Sequence, residues 1–386
     1  VRRFLGSISL RELLFSWPFI FAIGFLLRII SILLLGSYSD GNELRRTAAS
    51  ITLDGISAIY HRDVPFPYLP LNGLALSWIY SLALRCDLPF GLLLRLPSLV
   101  AEGVSMLLVV MLAKRTLKYA ASPGALMAYA GSIVALVACG VGDAVAPVGV
   151  MLILGAVVLL ECASVPLLCG AILGLAMNLT PVTALVVPAL VMRAKAGPHR
   201  GYLVLGLLPW MLPLVIAYCA VGMDLPAHLF GTQNASQAWG PAALLVYLGN
   251  LIPGLSGFST ELIHGFSHAT RILTITLALG LAWLHRSETG EYPTIKLLAL
   301  IITLCVLIDP YKGSGALVLL CSALWCLHSP RAGWLFSTVF GAVLLLLIGD
   351  NSGIITALLV LAAWGLIVWW FLRAQLLYHD VVSTSN

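Results

Sequence analysis

Between Leu13 and Leu372 the chain returns repeatedly to long, unbroken apolar runs separated by short polar stretches. A helix that crosses the roughly 30 Å hydrocarbon core of a bilayer needs about 20 mostly apolar residues. The runs are continuous and lack the alternation of a barrel strand, which excludes a transmembrane β-barrel. Hydrophobic residues make up 60% of the 386 and charged residues only 10%, too little polar surface for a soluble globular protein. The expectation is an all-α polytopic membrane protein. Its first span is Leu13–Leu35, and later candidates include Leu71–Ala83, Leu96–Ala113, Ala125–Val141 and a series ending at Ile354–Phe371. Several are too short to cross alone, so tilted or broken spans are expected, with about 11–13 crossings in all. Every polar segment is shorter than the roughly 50 residues a domain needs. Residues 1–386 therefore read as a single integral membrane domain without tandem repeats.

The positive charge lies beside the apolar runs. Arg2, Arg3 and Arg11 precede the first one, which places the start of the chain in the cytoplasm by the positive-inside rule. That run is too long for a signal-peptide core and lacks an A-x-A cleavage site, so it reads as a retained span. Arg193, Lys195 and Arg200, then Arg286 to Lys296, then Arg373, mark further cytoplasmic positions. The cluster Lys114, Arg115 and Lys118 conflicts with them. If both Leu71–Ala83 and Leu96–Ala113 cross, the cluster falls outside; either one of the two does not cross fully, or the rule fails there. A net charge of +5 spread in this way is not a nucleic-acid patch. The eight cysteines mostly lie in apolar runs, show no zinc-ligand spacing, and read as small core residues.

Charge is otherwise concentrated in one stretch, Ser37 to Leu71, where Asp40, Glu43, Arg45, Arg46, Asp54, His61, Arg62 and Asp63 precede a Phe-Pro-Tyr-Leu-Pro-Leu run. The first extracytoplasmic loop, 37–70, is thus the expected seat of function. Leu44, Ala48, Ile51, Ile56 and Ile59 give Asn42 to Ile59 a rough amphipathic period, suited to one or two helices in the interface with a break at Gly55. Pro65, Pro67 and Pro70 impose an extended path, and Phe66 and Tyr68 suit an interfacial belt. Asp40, just past the first span, admits two readings from chemistry alone. A partly desolvated carboxylate can act as general base for a hydroxyl, or it can cap the helix that follows.

Charges inside the apolar runs need partners. Arg28 reads as a partner of a buried carboxylate such as Glu102, about 18 Å from Asp40 along a straight helix. For Glu102 and Asp143, support of an active site and structural pairing with Arg28 or Arg95 remain open. Glu261, His264 and His268 share a face if that stretch is helical, but they lack a His-Glu-x-x-His order. No metal site is assigned. Asn234-Ala235-Ser236 matches a glycosylation sequon.

The order of these features resembles the C-type glycosyltransferase superfamily, in particular its polyprenol-phosphate-mannose-dependent members. The resemblance rests on Asp40 after the first span, Leu53-Asp54-Gly55, Tyr60, and Phe66-Pro67-Tyr68-Leu69-Pro70-Leu71, where Leu69 replaces a usual proline. It extends to Arg95-Leu96-Pro97-Ser98-Leu99-Val100-Ala101-Glu102, with Glu102 for a usual Asp, and to Gly142-Asp143-Ala144, which lacks the usual Gln. It also covers Gly170 to Pro188, with Thr180 at a usual Lys position, and Asp309-Pro310-Tyr311-Lys312.

The resemblance implies a C-type bundle with juxtamembrane helices and an inverting transfer of a sugar, mannose by default. The donor is a polyprenyl phosphate, and the acceptor is a hydroxyl on a lipid, glycan or protein. Asp40 is then the catalytic base. Glu43, Arg45, Arg46, His61, Arg62, Tyr68, His264, His268 and Lys312 are the candidate substrate-binding groups; the cationic ones suit a leaving phosphate. Arg45 and Arg46 also fit plain headgroup contact. Some relatives use a divalent cation (Mg or Mn) near the acid and others use none. The membrane is a bacterial plasma membrane, or endoplasmic reticulum in a eukaryote, with the site facing away from the cytoplasm. The competing class is a transporter or flippase of a lipid-linked or hydrophobic substrate.

Overall fold

The computed structural model describes residues 16–35, 41–55, 69–116, 122–140, 145–194, 197–222, 252, 270, 272–286, 293–308, 315–348 and 358–370. Among the described residues there is no strand. The helices are α1 (Trp17–Leu35), α2 (Gly41–Asp54), α3 (Pro70–Cys86), α4 (Phe90–Thr116), α5 (Ser122–Ala130), α6 (Ile133–Gly140), α7 (Ala146–Val158) and α8 (Pro166–Leu179). There follow α9 (Val187–Arg193), α10 (Pro198–Leu207), α11 (Met211–Val221), α12 (Ile272–Leu284), α13 (Pro293–Ile308), α14 (Gly315–His328), α15 (Pro330–Ile348) and α16 (Leu358–Trp370). A π turn, Leu159–Ala163, extends α7, and a short 3₁₀ turn, Leu208–Trp210, joins α10 to α11. Helices α3, α8, α10, α13 and α15 each open on proline, whose missing N–H costs nothing at a first position.

By length and composition, Trp17–Leu35, Phe90–Lys114, Ala146–Ala163 and Pro198–Cys219 can each cross a membrane, and the bent pair α5–α6 makes a fifth candidate. Shorter apolar stretches of 10–17 residues lie in α8, α12, α13, α14 and α16, among others. The four or five full-length candidates among the described residues are fewer than the 11–13 crossings expected. Helix α3, 17 residues long, belongs to neither group.

Contacts at the helix ends fix their directions. The Lys114 ammonium lies 5.5 Å from the Trp17 ring centre, so the last turns of α4 sit beside the first turn of α1. Gly124 of α5 faces Pro330 of α15, and Lys296 of α13 acts electrostatically on His328 of α14. Arg193 of α9 reaches Thr294 of α13, which in turn donates to Glu161 at the π turn. One end of the bundle thus gathers Lys114, Arg193, Lys296 and Arg331. The opposite end joins Leu35 of α1 to Gly140 of α6, Gly149 of α7 to Thr180, and Asn72 of α3 to the carbonyl of Leu179.

The main core runs through α1, α4 to α8 and α13 to α16, with Met106, Leu126, Tyr129, Leu154 and Leu173 fully enclosed. Small residues allow the closest approaches. A Cβ on Gly170 would strike the Leu203 carbonyl, and one on Gly206 would strike the Leu167 carbonyl. The backbones of α8 and α10 therefore touch, as at small-residue crossings in membrane bundles. A second, smaller core holds Ala48 and Ile51 of α2 and Leu76 and Ala83 of α3 against Phe90, Leu93 and Leu94 of α4 and Ala217 of α11. The amphipathic helix expected after Asn42 is α2, and it stops where expected, at Gly55, whose φ of +81° ends the helical path. Asp87 turns the chain from α3 into α4 with φ +51°, its N–H bonded to the Ala83 carbonyl.

Candidate functional site

The most concentrated polar chemistry among the described residues is in the middle of the bundle. Arg28 of α1 is completely buried. Its Nε donates to Glu102 Oε2 at 2.8 Å, and Glu102, equally buried, accepts from the Tyr129 hydroxyl at 3.0 Å through Oε1. The rest of the guanidinium donates to backbone carbonyls: Nη1 to Gly24 and Ala130, both at 3.0 Å, and Nη2 to Tyr129 at 3.2 Å. An unpaired charge here would be very costly; paired and fully hydrogen-bonded, it is retained.

Those carbonyls explain the arrangement. Tyr129 and Ala130 end α5, where the chain breaks at Gly131 and Ser132 and bends by 45° before α6. A helix end leaves carbonyls without intrahelical partners and carries partial negative charge. Arg28 satisfies both needs. On the other side of the break, the Ala135 N–H donates to Ser132 Oγ at 3.2 Å, and Ser132 Oγ pairs with Ser322 at 3.0 Å and accepts from Ser337 at 2.6 Å. At the break Ser132 is thus buried and fully bonded, while Gly131 is exposed and its N–H donates to the Met127 carbonyl. Ser31 of α1 also donates to the Leu136 carbonyl of α6 at 2.6 Å, which keeps α1 and α6 parallel as far as Leu35 and Gly140.

The pairing of Arg28 with Glu102 is the one anticipated from the charges in the apolar runs. It puts Glu102 in a structural network away from the helix ends. Helix α2 carries Glu43 in its first turn and exposes Arg45 and Arg46. Asp40, His61, Arg62, Tyr68, Asp143, His264, His268 and Lys312 lie outside the described residues. Several described helix ends that lead toward them lie at one end of the bundle. Leu35 leads toward Asp40, and Gly140, against which Leu35 and Ser31 pack, leads toward Asp143. Pro70 opens α3 beside the carboxyl end of α8, and Ile308 closes α13 at the end remote from Lys296. No group of three metal-ligating side chains occurs among the described residues. Five cysteines are buried, as core residues should be, whereas Cys86 and Cys219 are exposed.

Two features escaped the sequence reading. The Gly131-Ser132 pair inside Ala125–Val141 is a helix-break signal masked by apolar neighbours. Gly170 and Gly174 have the small-xxx-small spacing of a close helix crossing, hidden by attention to the block's other residues. No protein-family model matches the chain, and no curated protein matches it.

Proposed function

We propose that the chain is an inverting glycosyltransferase that moves a sugar, mannose by default, from a polyprenyl-phosphate donor to a hydroxyl acceptor on the extracytoplasmic side. The observation that carries this reading is the convergence of helix ends: α1, the bent pair α5–α6 and α13, which lead toward Asp40, Asp143 and Lys312, all run from the basic end to the opposite one. In the multi-pass arrangement proposed here the basic end is cytoplasmic. That arrangement puts Lys114, which lies beside Trp17, on the cytoplasmic side, with α4 returning to the cytoplasm and α3 lying with α2 as a juxtamembrane pair; the Lys114–Trp17 contact and the shared core of α2 and α3 support it.

Asp40 takes the proton of the acceptor hydroxyl as its oxygen attacks the anomeric carbon, and the lipid phosphate leaves from the opposite face. The departing phosphate needs cationic donors; Lys312 and His264 or His268 are assigned to it, with Arg45 and Arg46 on exposed α2 facing headgroups. The test is incubation of membranes with a labelled polyprenyl-phosphate sugar. Wild type should yield labelled product, and D40A and D40N should lose at least about 100-fold in rate at normal expression. Unchanged transfer by either variant removes Asp40 from the role.

A second reading, a transporter or flippase of a lipid-linked substrate, is favoured by the α5–α6 break, because discontinuous helices in the bundle interior recur in transporters. It predicts substrate movement across vesicles with no new glycosidic bond.

A further inference from the structure

The basic end holds a second feature that the transfer reaction does not use. Arg193 closes α9, Arg200 lies in the first turn of α10, Arg286 follows α12, and Lys296 lies in the first turn of α13. Contacts bring these segments together. Arg193 Nε donates to Thr294 Oγ1 at 3.4 Å and its Nη1 to the His285 carbonyl at 3.3 Å, which ties α9 to both α12 and α13. Arg200 donates through Nε to the Ala194 carbonyl at 3.1 Å and through Nη2 to that of Met192 at 2.9 Å, which draws α10 onto the end of α9. Arg286 is exposed, donates to the Trp283 carbonyl at 3.0 Å, and lies 3.8 Å over the Trp283 ring.

These cations are held in place by backbone carbonyls and a ring face. The described acid nearest them, Glu161, accepts the hydroxyl of Thr294. Directly adjoining this ring the protein surface is apolar. Tyr202 and Leu205 on α10 and Trp283 and Leu284 on α12 are each more than half exposed. A charged ring over an apolar wall matches one molecule in both parts: the phosphate fits the guanidinium groups and the acyl chains fit the wall.

We propose that the basic end bounded by α9, α10, α12 and α13 binds the headgroup of an anionic phospholipid, with Arg200 and Arg286 as the principal phosphate donors and Trp283 at the headgroup level. The site lies at the end remote from the proposed transfer chemistry and stands or falls independently of it.

The test uses the full chain purified into phosphatidylcholine nanodiscs, with thermal unfolding and native mass spectrometry as readouts. Phosphatidylglycerol or cardiolipin should be retained in preference to phosphatidylcholine and should raise the unfolding temperature. Inorganic phosphate at the same phosphorus concentration should do neither, because it lacks the acyl contact. R286Q should weaken anionic-lipid retention about fivefold and R200Q/R286Q about 25-fold, in line with the usual contribution of one cation near a charged membrane surface. R286K should keep most of the preference. Unfolding in phosphatidylcholine alone checks that each variant is folded. If R200Q/R286Q is unstable there, R286Q, altered at an exposed position, decides the matter alone. Equal retention of phosphatidylglycerol and phosphatidylcholine overturns the proposal, as does an R286Q protein that binds like wild type, or phosphate that stabilises as well as lipid.

Discussion

The bundle around α1, α4, α5 and α6 and the small shelf formed by α2 and α3 are built on different terms. The bundle has a fully enclosed interior, and even the charge inside it is matched: Arg28 makes four hydrogen bonds, to Glu102, Gly24, Ala130 and Tyr129. The shelf has a short core of its own, with alanines at two of its central positions, and one of its ties, between Thr52 and Ser77, is exposed. Leu53 on α2 is 82% exposed. Few buried contacts and solvent-exposed hydrogen bonds mean a low cost of local opening. Of these two parts the bundle is the more rigid, and α2, which follows the candidate catalytic acid in the chain, belongs to the more lightly held one.

The largest way to break that contrast is at Arg28. Arg28→Ala leaves Glu102 charged and buried without its cation, and takes the side-chain donor away from the carbonyls of Gly24, Tyr129 and Ala130. The expected loss is about 3–5 kcal/mol, seen as a large fall in unfolding temperature or a loss of folded yield. Arg28→Met with Glu102→Leu removes both charges and should recover much of that loss, since a well-packed apolar pair often replaces a buried ion pair without harm. If Arg28→Ala melts like wild type, the network is not what holds α1, α4 and α5 together.

A smaller effect is expected where α8 meets α10. Gly170→Leu drives a side chain into the Leu203 backbone, where neither helix can yield without opening the crossing. Overpacking of this kind costs about 1–3 kcal/mol. The same substitution at Gly201, which has open space around its Cβ position, should leave the unfolding temperature within error. A loss at Gly201 as large as that at Gly170 would show that glycine is needed there for some other reason than closeness.

How much of this was legible in the sequence depends on the range of the interaction. Helices set by local apolar runs and by proline at their starts were readable, as was the end of α2 at Gly55, because each is decided within a few residues. The partner of Arg28 was readable because the apolar runs contain so few carboxylates. The candidate span Leu71–Ala83 falls on α3, where Ser77 shares a hydrogen bond with Thr52 of α2, Asn72 reaches the Leu179 carbonyl and the Tyr80 ring meets Phe90, contacts that an average over hydropathy does not show. The break between α5 and α6 had only the Gly131-Ser132 pair to signal it, and what holds it was not readable. It is sustained by Arg28, Ser322 and Ser337, which are distant in the chain, and only the folded bundle brings them to Ser132. The candidate site was legible as a set of residue types in loops; the common end of the helices leading to those loops was not.

The smallest expected effect tests the shelf itself. Thr52 Oγ1 bonds to the Ala48 carbonyl at 2.8 Å and shares a 2.9 Å contact with Ser77 Oγ. Thr52→Val keeps the shape and removes both. An exposed bond of this kind contributes about 0.5–1 kcal/mol, which is too little to move global unfolding of a bundle this size. If α2 opens on its own, however, that loss appears in full in local opening, as a roughly two- to fivefold faster amide exchange confined to Gly41–Asp54. Unchanged exchange in α2, or an acceleration spread evenly over α2 and α4, would mean that shelf and bundle open together, and the separation between a rigid scaffold and a lightly held edge beside the candidate acid would have to be given up.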